Sequence, residues 1–71
     1  MNDIEINREP TELFIILKFE NLVASGGEAK FVIAEGLVKV NGSTETRKRK
    51  KIIAGDVIEF NGEKYRVKLA A

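Results

Sequence analysis

Apolar and polar residues alternate over Asp3-Ile4-Glu5-Ile6-Asn7, the two-residue period of a short strand with one wet face. The period then lengthens. Leu13, Phe14 and Leu17 fall on one face of a helix, at separations of three and four residues. Pro10 is placed to open that helix, because proline is tolerated in a first turn, and Glu12 in that turn would suit the helix dipole. The helix is predicted to close near Glu20-Asn21. Ser25, followed three residues later by Glu28, carries the signature of a capping box. A second helix is therefore predicted from about Gly26 to Glu35, with Ala29, Val32 and Ile33 as its buried stripe. Gly36 is placed to end it in a left-handed conformation. Ala29 is small enough to let the two helices approach closely.

The remainder has the character of strands. Val38 and Val40 flank Lys39, and Asn41-Gly42 is a strong tight-turn signal. Ile52-Ile53 leads into a turn at Ala54-Gly55-Asp56. Val57 to Phe60 forms another short strand, and Asn61-Gly62 turns the chain back. Tyr65, Val67 and Leu69 alternate with Lys64, Arg66 and Lys68, so a last strand buries one face and wets the other. The expected fold class is α+β: two packed helices with a small, mostly antiparallel sheet, in one domain spanning residues 1–71. Most of the aromatic residues, Phe14, Phe19, Phe31, Phe60 and Tyr65, are expected in or near the core.

Charge changes the picture more than composition does. The chain carries a net charge of only +1, yet Arg47-Lys48-Arg49-Lys50-Lys51 places five cations in succession. Residues 1–36 hold seven acidic and three basic side chains, whereas residues 37–71 hold four acidic and nine basic. A near-neutral protein with such a local concentration of cations presents an electropositive patch that attracts polyanions, chiefly the phosphates of a nucleic acid. The chain has no cysteine and no histidine. This removes disulfides, the commonest zinc ligands, the thiolate nucleophile and the usual neutral-pH general base. No phosphate-cradling GxxxxGK[ST] motif occurs and no pair of carboxylates is tied together by spacing, so no catalytic residue, metal or cofactor is implied. The N-terminal residues lack a signal-peptide pattern, and the longest apolar run, Leu13 to Leu17, is far short of a bilayer span. A cytosolic, monomeric protein without membrane contact is the expectation.

At strand spacing Arg47, Arg49 and Lys51 would face one way, and Lys48 and Lys50 the other. Both faces cannot be buried, so the run is expected as an exposed loop or a protruding hairpin edge. Two readings stay open for it. The cations grip phosphate, with arginines acting bidentately and lysines as point charges. Alternatively, they are a solvated edge that discourages sheet-to-sheet aggregation. The start of the second helix is another candidate. Gly26 and Gly27 leave its amides uncovered for an anion, and Lys30 is within reach of the same ligand, although the capping box and Glu28 compete there. Lys39 and Lys64 are rim candidates. Tyr65 has the chemistry to stack on a base, but a role in the sheet or core fits it better.

The stretch from Leu22 to Phe60 resembles the alpha-L RNA-binding domain, named after the fourth protein of the small ribosomal subunit. The resemblance rests on Ser25, Ala29, Ile33, Gly36, Val38, Val40, Asn41-Gly42 and Gly55-Asp56, in the pattern I-x-x-G-x-V-x-V-N-G, a spacer, and G-D-x-I. The motif as a whole occupies about residues 11–60, and the small stand-alone bacterial members are the nearest in character. The resemblance implies non-catalytic binding of structured RNA, with ribosomal or transfer RNA as candidates, by the two-helix unit and the following hairpin. Family members carry arginine directly after the serine that starts the second helix, where this chain has Gly26. The family's Arg-Leu-Asp start of the first helix is replaced by Glu12-Leu13-Phe14. The RNA-binding set expected here is therefore Gly26, Gly27, Lys30 and Lys39 together with Arg47, Lys48, Arg49, Lys50 and Lys51. A ribosome-associated or protein-interaction adaptor is the alternative reading.

Overall fold

A computed structural model describes residues 1–70. Its elements, in chain order, are β1 (Asn2–Ile6), β2 (Thr11–Glu12), α1 (Leu13–Phe19), α2 (Gly26–Ala34), β3 (Val38–Val40), β4 (Ser43–Thr44), β5 (Lys51–Ile52), β6 (Val57–Phe60) and β7 (Glu63–Leu69). Five strands form one sheet in the order β1-β7-β6-β3-β4, and β2 pairs with β5 in a separate two-stranded ladder. The pairs within the main sheet are antiparallel except β1–β7, which runs parallel, with Asn2 opposite Tyr65 and Ile6 opposite Leu69. The α+β expectation of two helices and a mostly antiparallel sheet therefore holds.

Both helices end in the same way. At the close of α2, Gly36 has φ +77°, its N–H donates to Ile33 O, and the N–H of Leu37 donates to Val32 O. At the close of α1, Asn21 takes the left-handed position with φ +58°, donating to Lys18 O while Leu22 donates to Leu17 O. These paired bonds satisfy carbonyls that would otherwise lack partners. The start of α2 follows the predicted cap. Ser25 Oγ accepts from Glu28 N at 3.1 Å, and the Glu28 carboxylate reaches back to accept from Ala24 N at 2.7 Å, one residue before the cap.

The start of α1 differs from the expectation. Pro10 does not open the helix: the Glu9–Pro10 peptide is cis, and α1 begins at Leu13. Glu12 is the cap residue, in an extended conformation, rather than part of the first turn. Thr11 and Glu12 are drawn instead into antiparallel pairing with Ile52 and Lys51. A tertiary pairing here overrides a local helix signal.

The Asn-Gly pairs make the two tight hairpins. Asn41-Gly42 and Asn61-Gly62 all have positive φ, the two-residue geometry whose twist matches the flanking strands. Asn41 does more than turn the chain. Its Nδ2 donates to Asp56 Oδ1 at 3.0 Å, and its Oδ1 accepts from Val57 N at 2.9 Å. Asp56 Oδ2 in turn accepts from Ile53 N at 3.0 Å. The two halves of the spaced V-N-G and G-D pattern are thus hydrogen-bonded to each other, which explains why those residue types occur together.

The core lies between the helices and one face of the sheet. Leu13, Ile16 and Leu17 from α1 meet Ala29, Val32 and Ile33 from α2, above Ile4, Ile6, Val38, Val40, Ile58 and Val67; Ile52 and Val23 close its margins. Phe14, Phe60 and Tyr65 pack partly buried against it. Phe19 and Phe31 do not belong to the core as expected, being 71% and 62% exposed. The buried stripe of each short helix is already filled by aliphatic residues.

Ser25→Ala should destabilise the protein by about 0.5–2 kcal/mol through loss of the cap. Gly36→Ala should cost about 1–2 kcal/mol and Gly36→Val more, because φ is positive and a Cβ there meets only ordinary contact with Thr44 at 3.5 Å. Asn41→Gly keeps the turn conformation but removes both clamp bonds, for an expected loss of about 1–3 kcal/mol. Urea melts of the four variants check these values.

Candidate nucleic-acid interface

The basic run is a loop anchored through its backbone. Lys50 N donates to Arg47 O, closing a turn over residues 47–50, and Lys51 enters β5 opposite Glu12. Two carbonyls of the turn face the start of α1: Leu13 N donates to Lys50 O at 2.9 Å and Phe14 N to Lys48 O at 3.1 Å. The helix amides that an anion would otherwise seek are occupied in holding the loop. The backbone is fixed while the side chains project, and they frame an open concavity of about 680 Å³ lined by Thr46 to Lys51.

The five cations are not equivalent. Arg47 forms a two-pronged pair with Glu45, Nε to Oε2 at 2.9 Å and Nη2 to Oε1 at 3.1 Å, and its backbone N–H donates to the same carboxylate at 2.9 Å. Glu45 is 9% exposed, a nearly buried carboxylate at the root of the loop. The Arg47 side chain and then its amide hold the Glu45 pKa down to about 2, against the opposing effect of burial. Arg49 pairs with Glu12 at 3.0 Å. Among the described residues, Lys48, Lys50 and Lys51 have no carboxylate partner.

Phe14 joins the loop to the second helix. The Arg49 guanidinium lies 5.3 Å from its ring centroid and Lys30 Nζ lies 4.8 Å from it. Both fall within the range of cation–π attraction. Lys30 therefore stands beside the basic loop. The residue that joins them is an aromatic side chain expected only to pack in or near the core.

The start of α2 extends the same side of the molecule. The two helices run antiparallel here, since Phe14 meets Lys30 and, one turn on along α1 but one turn back along α2, Lys18 meets Gly26. A Cβ built on Gly26 would lie 3.7 Å from Lys18 Cδ. The amides of Gly26 and Gly27 precede the first bond of the helix, Ala29 N to Ser25 O. Lys18 is a cation that sequence reasoning did not single out. Its only signal was its position four residues after Phe14, on the same helix face.

Lys39 and Lys64 are placed elsewhere. Val38 and Val40 turn into the core, so Lys39 between them stands on the opposite face of the sheet. There it lies across from Glu59, which in turn lies across from Lys64. The thickness of the sheet separates this row of alternating charge from the helices. Among the described residues there is no group of three or more side chains suited to hold a metal ion, and no helix is long and apolar enough to cross a membrane.

The arrangement brings a basic loop, an aromatic ring and a lysine of the second helix together on one shallow surface. Residues 4–68 match the family model described as the S4 domain. YbcJ of Escherichia coli (strain K12) is 46% identical over 68 residues, covering 94% of this chain and 97% of its own. Its solution structure, described as revealing an alfaL motif involved in RNA-binding, superposes with a TM-score of 0.71 over 99% of this chain and 89% of that one. The "Probable ribosome maturation protein RlbA" of Bacillus subtilis (strain 168) is 38% identical over 61 residues, 86% of each chain. The crystal structure of the 30S ribosomal protein S4e from Thermoplasma acidophilum also gives a TM-score of 0.71, at 38% identity, covering 84% of this chain and 32% of that one. The family match and the 46% identity with YbcJ over nearly the full length of both chains show that the chain belongs to the S4-domain family, the alpha-L RNA-binding domains.

Proposed function

We propose that this protein binds structured RNA, without acting on it chemically, through one surface made of the 47–51 loop, Phe14 and the first two turns of α2. The observation that carries this reading is the placement of Lys30 and Arg49 over the same Phe14 ring, which makes the helix and the loop neighbours. The family's usual arginine after Ser25 is absent, and Gly26 stands there with Lys18 beside it. The stem of Lys18 passes the position that the missing arginine leaves open, and its ammonium lies 5.7 Å from the Phe19 ring centroid. Affinity then comes mainly from Lys48, Lys50 and Lys51, the loop cations without carboxylate partners, while Arg47 and Arg49 shape the loop through Glu45 and Glu12. A shallow cationic surface of this kind reads shape and phosphate spacing more than base edges. A ribosomal target is favoured by two relatives, one named for ribosome maturation and one a ribosomal protein.

The first test is a fluorescence titration with several RNA hairpins at two salt concentrations. Replacing Lys48, Lys50 and Lys51 with Gln should weaken binding to all of them by similar factors. The salt dependence of log affinity should become shallower by about 0.7–0.9 for each phosphate no longer neutralised. Unchanged affinity and slope would assign the loop to solubility. Amide shift mapping with one hairpin should perturb Gly26, Gly27 and Lys30 together with residues 47–51. Shifts confined to the loop would reject a two-part surface.

The Glu45 latch has a pH signature. Its folded pKa of about 2 lies below the ordinary value of 4.5, so it stabilises the fold fully above that value. That contribution should be lost progressively as pH falls from about 4.5 towards 2. Thermal melts between about pH 2 and 7 should therefore show Glu45→Gln less stable than the parent at neutral pH, with the gap closing in that window. A gap that does not change with pH would mean that Glu45 is not ionised in its pairing with Arg47.

A further inference from the structure

At the far end of α1 from the 47–51 loop, the sheet ends in an open strand beside a groove whose rim residue Phe19 has Lys18 Nζ 5.7 Å from its ring centroid. β1 is the edge strand, paired through one side only, with β7. Ile6 O accepts from Ala70 N, so the backbone groups of Ile6, and by alternation those of Ile4, face β7. The amides and carbonyls of Asp3 and Glu5 consequently point to the free edge. Along that edge runs a groove of about 510 Å³, floored by residues 4–8 and walled by Ile15, Ile16 and Phe19 of α1, with Arg8, Thr11 and Glu20 at its polar end. Phe19 is 71% exposed at its rim. A strand edge flanked by a helix, with an apolar channel between them, is the geometry in which an extended peptide adds itself to a sheet.

We propose that this groove docks an extended segment of a partner protein, one that alternates basic and apolar residues, as an added strand on β1. The charge pattern selects the occupant. Asp3 and Glu5 stand on the outer face of β1, across the ladder from Arg66 and Lys68; Lys68 pairs with Asp3 at 2.9 Å, and among the described residues Glu5 has no ion pair. An added strand with lysine or arginine on that face would meet these carboxylates, while its intervening apolar residues would meet the groove and Phe19. The same carboxylates disfavour a second copy of this chain. Antiparallel pairing of β1 with itself about Ile4 would set Asp3 of one copy opposite Glu5 of the other, and like charges directly across a ladder repel.

The test uses the full chain, labelled with 15N, and three capped hexapeptides: Lys-Val-Lys-Val-Lys-Val, its glutamate counterpart, and Lys-Lys-Lys-Val-Val-Val. The alternating basic peptide should shift the amides of Asp3, Glu5, Ile15 and Phe19 and slow hydrogen exchange at Asp3 and Glu5. The other two should bind markedly more weakly. Phe19→Ala should reduce affinity by about fivefold or more. Glu5→Lys should move the preference towards the glutamate peptide. The Gln variant of Lys48, Lys50 and Lys51 should bind the basic peptide as the parent does, which separates this site from the RNA surface. Equal binding of the rearranged peptide, shifts centred elsewhere, or no effect of Phe19→Ala would overturn the proposal. Concentration-dependent shifts at Asp3 and Glu5 without peptide would overturn it in favour of self-pairing.

Discussion

Two backbone hydrogen bonds, from Leu13 N and Phe14 N to the carbonyls of Lys50 and Lys48, hold the candidate interface together. They join the start of the first helix to a loop far later in the chain. Neither partner has an easy alternative. A helix start leaves amides unsatisfied, and a loop of five cations would otherwise spread into solvent by self-repulsion. The junction also carries an electrostatic cost, because it puts positive charge at the positive end of a helix. Glu12, positioned as the cap residue and paired with Arg49, offsets that cost locally. The arrangement is harder to explain as a solvated edge than as a surface kept cationic for a partner. A loop needed only for solubility would gain by mixing its charges.

From that junction the rest of the surface follows. Once the loop lies against α1, Arg49 reaches Phe14, and the antiparallel packing of α2 brings Lys30 to the same ring. Ala29, fully buried at the helix contact, permits the approach, and Gly26 leaves room for the stem of Lys18. Glu45 fixes the other end of the loop through Arg47. The cations therefore divide into two held by carboxylates and three without a carboxylate partner among the described residues. Their number alone does not show that division.

Features that rest on neighbours in the chain were legible from the sequence. The cap at Ser25, the left-handed close at Gly36 and the two Asn-Gly turns each depend on a few adjacent residues with distinctive conformational preferences. Features that rest on distant partners were not. The pairing of Thr11-Glu12 with Lys51-Ile52 displaced the predicted helix start, because a ladder of this kind has no local signature. The exposure of Phe19 and Phe31 was hidden because hydrophobicity gives the preference for burial but not the space available. At the interface, the position of the cations could be read, but the ion pairs of Arg47 and Arg49 and the proximity of Lys18 to Gly26 required the packed structure.

The parallel ladder between β1 and β7 joins residues more than sixty positions apart, Asn2 with Tyr65 through Ile6 with Leu69. A ladder between such distant residues closes late in folding, because the chain between them must be ordered first. Until residues 63–69 follow, Ile4 and Ile6 have no sheet to enter, and both edges of the strand are open. The helices and the central hairpin, whose contacts are nearer in sequence, can form in the meantime. The N-terminal strand is then the last piece of the sheet to be locked. Until that ladder closes, a folding chain thus carries an unpaired apolar strand with both edges open to premature association.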